Sequence, residues 1–162
     1  MAAPVVACLH NLEDAFMGHA GEAMLAAGAV LDERFLREGD PLPALDDVDG
    51  ILSLGGEQSV VEIAQDPLMT AEAELLREAV EAELPVLGVC LGAQLLSRAH
   101  GGENLRLERR LVTWAPITVL DREDPVLGAI PPGAHALHWN EDGFEPPPGA
   151  VEVLNRPRGG RA

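Results

Sequence analysis

The chain has 162 residues, of which 11 are basic and 27 acidic, so its formal net charge is −16 at pH 7. A chain of this size is typical of one domain and buries a full core without disulfides. An acidic balance without a basic stripe argues against nucleic acid or an anionic membrane surface as a partner, and no apolar run approaches the roughly 20 residues of a membrane span. The first residues carry no positively charged signal-peptide region, so we expect a cytoplasmic protein with reduced thiols.

Short apolar runs alternate with segments of helical pattern along the first two thirds of the chain. Strands alternating with helices at these lengths predict an α/β fold, with a mainly parallel open sheet flanked by helices. Beyond Gly102, Pro-rich turns separate shorter apolar runs, which indicates a small antiparallel strand region in the C-terminal third. The predicted strands are 4–9, 29–36, 50–54, 86–89, 110–120, 134–139 and 150–154, and the predicted helices are 18–27, 91–100 and a third between Pro67 and Pro85.

The predicted helix between Pro67 and Pro85 carries the clearest helix signals in the sequence. Asp66 can cap its N-terminus, and Pro67 suits the first helical position. Apolar residues recur at helical spacing, and we expect the acids of the same segment to lie mostly at solvated positions. The apolar positions are Leu68, Ala71, Leu75, Leu76, Ala79 and Val80, and the acids are Glu72, Glu74, Glu78, Glu81 and Glu83.

A glycine-framed cysteine, Gly88-Val-Cys90-Leu-Gly92, lies between a predicted strand and a predicted helix. A sharp strand-to-helix turn strains the middle residue, and flanking glycines let the backbone pass closely, as in the Gly-x-Ser-x-Gly elbow of hydrolases. The side chain then projects at the carboxyl edge of the sheet, where the positive end of the helix dipole favours a thiolate. We therefore interpret Cys90 as a nucleophile, and Cys8, inside an apolar strand, as a small buried hydrophobe.

A second glycine run, Ser53-Leu-Gly-Gly56, closes another predicted strand of the same sheet. Successive glycines there can aim backbone N–H groups into the cleft, as an oxyanion hole requires. The N–H of Leu91, directly after the cysteine, would supply the other donor. The alternative is that Gly55 and Gly56 form only a tight loop.

Three segments together resemble the class I glutamine amidotransferase family, in particular stand-alone proteins similar to the amidotransferase half of GMP synthase. They are residues 49–56 (DGILSLGG), 87–96 (LGVCLGAQLL) and 138–144 (HWNEDGF). The resemblance runs from the first strand to about Leu154. It implies the family's flavodoxin-like fold.

The resemblance also implies a glutaminase reaction that needs no cofactor. Cys90 would attack the side-chain amide carbon of glutamine, release ammonia for a synthetase partner and leave a γ-glutamyl thioester for water to hydrolyse. The backbone N–H groups of Gly56 and Leu91 would stabilise the oxyanion, and Gly55 and Gln94 would contact the substrate. For Gln94 the alternative is a structural role, in which its side chain satisfies a local backbone group.

The family's His-Pro-Glu motif, in which the His moves protons and the Glu orients it, is absent from the sequence. In the family that motif follows the strand that 151–154 begins, so we expect it beyond Ala162. We accordingly take 1–154 as an amidotransferase domain that is incomplete at its C-terminus, and expect the Arg/Gly tail 155–162 to be disordered. Of the histidines present, His138 is the candidate for the mouth of the site, with a purely structural histidine as the alternative.

Two further departures from the family pattern count against full activity. Asn140 stands where relatives often carry a second His, and Glu57 follows Gly-Gly where Pro is common. Two alternatives therefore stay open: a catalytically incomplete remnant that binds glutamine or a partner chain, and a Cys hydrolase acting on γ-glutamyl amides or peptides. The sequence shows no metal-ligand spacing and no phosphate-binding glycine motif, so we expect neither a metal nor a nucleotide cofactor.

Overall fold

The computed structural model describes residues 2–14 and 16–155. Its strands are β1 Val5–His10, β2 Val30–Phe35, β3 Gly50–Ser53, β4 Val86–Gly88, β5 Asn104–Pro116, β6 Thr118–Val119, β7 His135–Phe144 and β8 Leu154–Asn155. The α-helices are α1 Gly18–Ala26, α2 Pro67–Glu81 and α3 Leu91–Ala99, with short 3₁₀ turns at Leu36–Glu38, Leu45–Asp47 and Val60–Gln65.

The first four strands form a parallel sheet in the order β2-β1-β3-β4. The main apolar core lies between one face of this sheet and helices α2 and α3, where Leu76 and Leu95 are fully buried. A smaller cluster on the opposite face packs against Met24 of α1. The predicted α/β fold is thereby confirmed. Because the strands are parallel, the carboxyl ends of β1, β3 and β4 meet at one edge, where ligands bind in open α/β sheets.

Helix α2 begins as the sequence predicts, but its buried stripe is rotated. Asp66 Oδ1 accepts from the backbone N–H groups of Leu68 and Met69 at 3.0 and 3.1 Å, and Pro67 occupies the first turn. Ala71, expected in the apolar stripe, is exposed, whereas Glu72, expected to be solvated, is 0% exposed. Four of the five acids are exposed, as expected for most of them, and Glu72 is the exception because it lies on the face that packs against the sheet.

The edge strand β4 also differs from its prediction. An apolar run such as 86–89 is typical of a buried strand, yet Leu87 is 52% exposed and Val89 45% exposed. The reason is that, among the described residues, β4 pairs with β3 and has no strand on its other side.

The C-terminal third holds the predicted antiparallel region as two separate pairs, β5 with β7 and β6 with β8. Strand β7 runs well past the predicted 134–139, whereas 150–154 contributes a strand only at its end. Asn155, placed in the tail on sequence grounds, instead pairs with Thr118 of β6. The rest of that tail, 156–162, lies outside the described residues. No helix in the described part of the chain is long and apolar enough to cross a membrane.

Candidate active site

Cys90 occupies a strained turn between β4 and α3. Its backbone has φ 54° and ψ −112°, and in the described ranges the only other non-glycine residue with positive φ is Glu83. L-residues rarely adopt this conformation, and it persists only where the surrounding structure enforces it. The thiol of Cys90 is exposed at the N-terminus of α3. The predicted strand-to-helix elbow is therefore present in the structure.

The two glycines that frame the elbow are required by close packing. A Cβ at Gly88 would lie 2.7 Å from the backbone nitrogen of Ala93, and a Cβ at Gly92 would lie 2.7 Å from the carbonyl carbon of Ser53. Both distances are shorter than real Cβ contacts, and both neighbours are backbone atoms that cannot rotate away. Only glycine lets the first turn of α3 sit this closely on β3 and β4.

The Gly55-Gly56 loop lies directly against the elbow. A Cβ built on Gly55 would come 3.7 Å from Cys90 Sγ, and one built on Gly56 would come 2.7 Å from Leu91 Cδ2. A backbone hydrogen bond from Gly92 N to Leu54 O, 3.2 Å long, joins the two segments. The structure thus brings together the two glycines of the loop and two residues of the elbow, Cys90 and Leu91, as the sequence predicts.

The junction also holds the two backbone N–H groups that the sequence predicts as oxyanion donors. In residues 2–14 and 16–155, neither the N–H of Gly56 nor that of Leu91 is paired with an acceptor. Glu57, the acid that departs from the family pattern, is exposed.

Gln94 is engaged with the antiparallel region. It is 7% exposed, and its Nε2 donates to the carbonyl oxygen of Asp142 in β7 at 3.0 Å. Asp142 in turn accepts from Ser59 Oγ at 2.6 Å, so β7 is tied both to α3 and to the segment after the glycine loop. Gln94 therefore has a structural contact, although with a carbonyl 48 residues away rather than the local backbone group that the sequence left open. The predicted contact of Gln94 with substrate stays a prediction.

His138 lies within strand β7, half-buried and opposite Thr113. Its role at the mouth of the site stays a prediction. His10, which ends β1 at the same edge of the sheet as the elbow, is almost fully buried, with its ring stacked on Phe35 and its Nε2 3.2 Å from a Glu33 oxygen.

Sequence reasoning missed Glu72, whose carboxylate lies beside the strand that leads to the glycine loop. Its Oε1 accepts from Ser53 Oγ at 2.7 Å and from Asn11 Nδ2 at 3.2 Å. Burial raises the pKa of the Glu72 carboxyl above its usual range, against these two hydrogen bonds, which lower it. The signal was present in the spacing, because Glu72 follows Met69 by three residues and precedes Leu76 by four on the buried stripe.

A search of the described residues for groups of three or more His, Cys, Asp and Glu side chains able to hold a metal ion finds none. Among the described residues, the candidate site combines the Cys90 thiol and backbone N–H groups with the buried carboxylates of Glu72 and Asp142 behind them.

The profile of one protein family, described as glutamine amidotransferase class-I, matches residues 32–158. The chain belongs to this family. The matched range contains the Gly55-Gly56 loop, Cys90 and β7. The family resemblance seen in the three sequence segments is confirmed.

Relatives and solved structures agree with this assignment. One subunit of the glutamine-hydrolyzing GMP synthase from Methanococcus maripaludis is 30% identical over 109 residues, which cover 67% of this chain and 51% of that protein. The chain spans about half the length of the curated relatives it matches. A glutamine amidotransferase from Thermotoga maritima matches with a TM-score of 0.85 at 22% identity, covering 95% of this chain and 67% of that one. Another, from Methylobacillus flagellatus, has a TM-score of 0.79 at 29% identity, with 97% and 63% covered.

Proposed function

We propose that Cys90 attacks the side-chain amide of glutamine, accepts the γ-glutamyl group and releases ammonia. The observation that carries this proposal is the exposed Cys90 thiol on its strained turn, with Gly55 packed against it. Acyl transfer needs a fixed nucleophile beside hydrogen-bond donors for the developing oxyanion. The N–H groups of Gly56 and Leu91, which pair with no acceptor among the described residues, support that assignment.

The proposed reaction has two steps. The sulfur of Cys90 bonds to the side-chain amide carbon of glutamine, and the carbonyl oxygen becomes an oxyanion held by backbone N–H groups. The C–N bond then breaks, and ammonia leaves with the proton that the thiol loses. Water attacks the γ-glutamyl thioester, which releases glutamate and restores the thiol.

The names of the relatives support a proposal for the fate of the ammonia. The M. maripaludis protein is named as part of a glutamine-hydrolyzing GMP synthase. We propose that this chain likewise serves a synthetase partner. Since general acid–base catalysis contributes roughly 10²–10⁴-fold and the sequence holds no His-Pro-Glu, ammonia release by the 162-residue chain should be slow.

The test follows ammonia release from glutamine by the wild type, by Cys90→Ala and by Cys8→Ala, which removes the other thiol. We expect release by the wild type and by Cys8→Ala, and only background from Cys90→Ala. Equal release by the wild type and Cys90→Ala would overturn the role of Cys90. If the wild type releases no more than background, the chain is the incomplete remnant that the sequence left open as an alternative.

A further inference from the structure

We infer that Glu72 is a positioning residue, which acts through Ser53 and Asn11 to hold the two glycine segments around Cys90 in register. The inference rests on the proposed function, because it assigns Glu72 to the geometry of that same site. Glu72 itself is fully buried, so it does not contact substrate.

The first arm of this connection runs through Ser53. Its hydroxyl donates to Glu72 Oε1 at 2.7 Å, and its backbone lies where any side chain on Gly92 would clash. The Ser53 carbonyl also accepts from the N–H of Val89, the residue before the nucleophile, at 2.9 Å. Fixing Ser53 therefore fixes the spacing between β3 and the first turn of α3.

The second arm runs through Asn11, which follows β1. Its Nδ2 is shared between Glu72 Oε1 at 3.2 Å and the carbonyl of Leu54 at 3.4 Å. A Cβ on Gly56 would lie only 2.9 Å from Asn11 Cβ, so Asn11 sits directly against the glycine loop. One carboxylate oxygen thus links both segments that supply the proposed oxyanion donors.

Packing alone does not explain a carboxylate at this position. The neighbours of Glu72 on the buried stripe are apolar, and a buried carboxyl costs free energy that an aliphatic side chain would not. Its Oε2 has no hydrogen-bond partner among the described residues. The nearby charges are those of Arg37 and Asp66, which favour and disfavour ionisation respectively. The carboxylate supplies one oxygen that accepts from both Ser53 and Asn11, and these two residues contact the elbow and the glycine loop.

The experiment compares two substitutions of Glu72 with a control on the same helix face. Glu72→Gln keeps an oxygen that accepts from both partners, whereas Glu72→Leu keeps the volume and removes the acceptor. Ala79→Gly, also fully buried in α2, destabilises the helix without touching the network. All variants are studied in urea well below their unfolding midpoints.

The first readout is hydrogen exchange of the Val89 and Gly92 amides, which donate to the Ser53 and Leu54 carbonyls across the junction. The second is the rate of Cys90 alkylation by a chloromethyl ketone analogue of glutamine, divided by the rate with iodoacetamide. For Glu72→Leu we expect at least tenfold faster exchange at these amides and a tenfold lower ratio. Glu72→Gln should stay within about threefold of wild type, and Ala79→Gly should leave the ratio unchanged.

A folded Glu72→Leu variant whose exchange and ratio match those of Ala79→Gly would overturn the inference. Failure of the proposed function has a different signature. In that case wild-type Cys90 would show the same ratio as free cysteine, while the exchange measurement would still decide whether Glu72 orders the loops.

Discussion

The two cysteines of the chain occupy opposite chemical environments within one sheet. Cys8 lies inside β1, paired on both sides, is 0% exposed, and has a pKa raised to about 11 by burial and by the neighbouring Glu33 and Asp32 carboxylates. Cys90 follows the edge strand β4, is exposed, and is held at positive φ. The comparison shows that backbone placement, and not residue type, decides which thiol is available for chemistry.

The largest expected difference between the two is in their alkylation rates. At pH 8 a thiol with a pKa of about 11 is ionised to roughly one part in 10³, and burial blocks access as well. We therefore expect iodoacetamide to modify Cys90 at least ~10³-fold faster than Cys8 in the folded protein. Peptide mass spectrometry over time measures both rates, and rates within tenfold of each other would contradict the contrast.

The elbow should tolerate no side chain at its glycines. Gly92→Ala places a Cβ against the Ser53 backbone, so we expect a loss of about 1–3 kcal/mol in the free energy of unfolding and loss of labelling by the glutamine analogue. Gly143→Ala in β7, whose Cβ would meet nothing closer than 3.4 Å, is the control. Equal urea midpoints for the two variants would show that the elbow is looser than described.

Backbone strain at Cys90 should reverse the usual effect of glycine on stability. We expect Cys90→Gly to be more stable than Cys90→Ala by about 1 kcal/mol, because glycine accepts positive φ. In β1 the order should invert, with Cys8→Gly less stable than Cys8→Ala by about 0.5–1 kcal/mol. Denaturant unfolding of the four variants measures both differences. The same order at both sites would mean that Cys90 is not strained.

The smallest effect concerns pH. The folded-state pKa of Glu72 is raised above the ordinary value of 4.5. The contribution of this raised pKa to the free energy of unfolding is therefore fully present below pH 4.5 and is lost as the pH rises through the raised pKa. Glu72→Gln lacks this titration, so its urea midpoint should gain on that of the wild type as the pH rises from 4 to 8. A constant difference across that range would show that the carboxyl titrates normally.

Much of the fold and of the elbow could be predicted from sequence because the signals are local. The Asp66 cap, Pro67 and the glycines around Cys90 depend on neighbours within a few residues. The hydrogen bond from Gln94 to Asp142 joins residues 48 apart, and that from Asn11 to Glu72 joins residues 61 apart. Such contacts depend on how β7 and α2 pack, which a single sequence does not specify.

The central claim is that Cys90 is a nucleophile placed to react with glutamine. The most direct measurement is covalent labelling of the 162-residue chain by the chloromethyl ketone analogue of glutamine, with and without excess glutamine. The account predicts labelling at Cys90 alone, faster than that of free cysteine and slowed by glutamine. Labelling of Cys90 at a rate no faster than that of free cysteine, and unchanged by excess glutamine, would contradict the account.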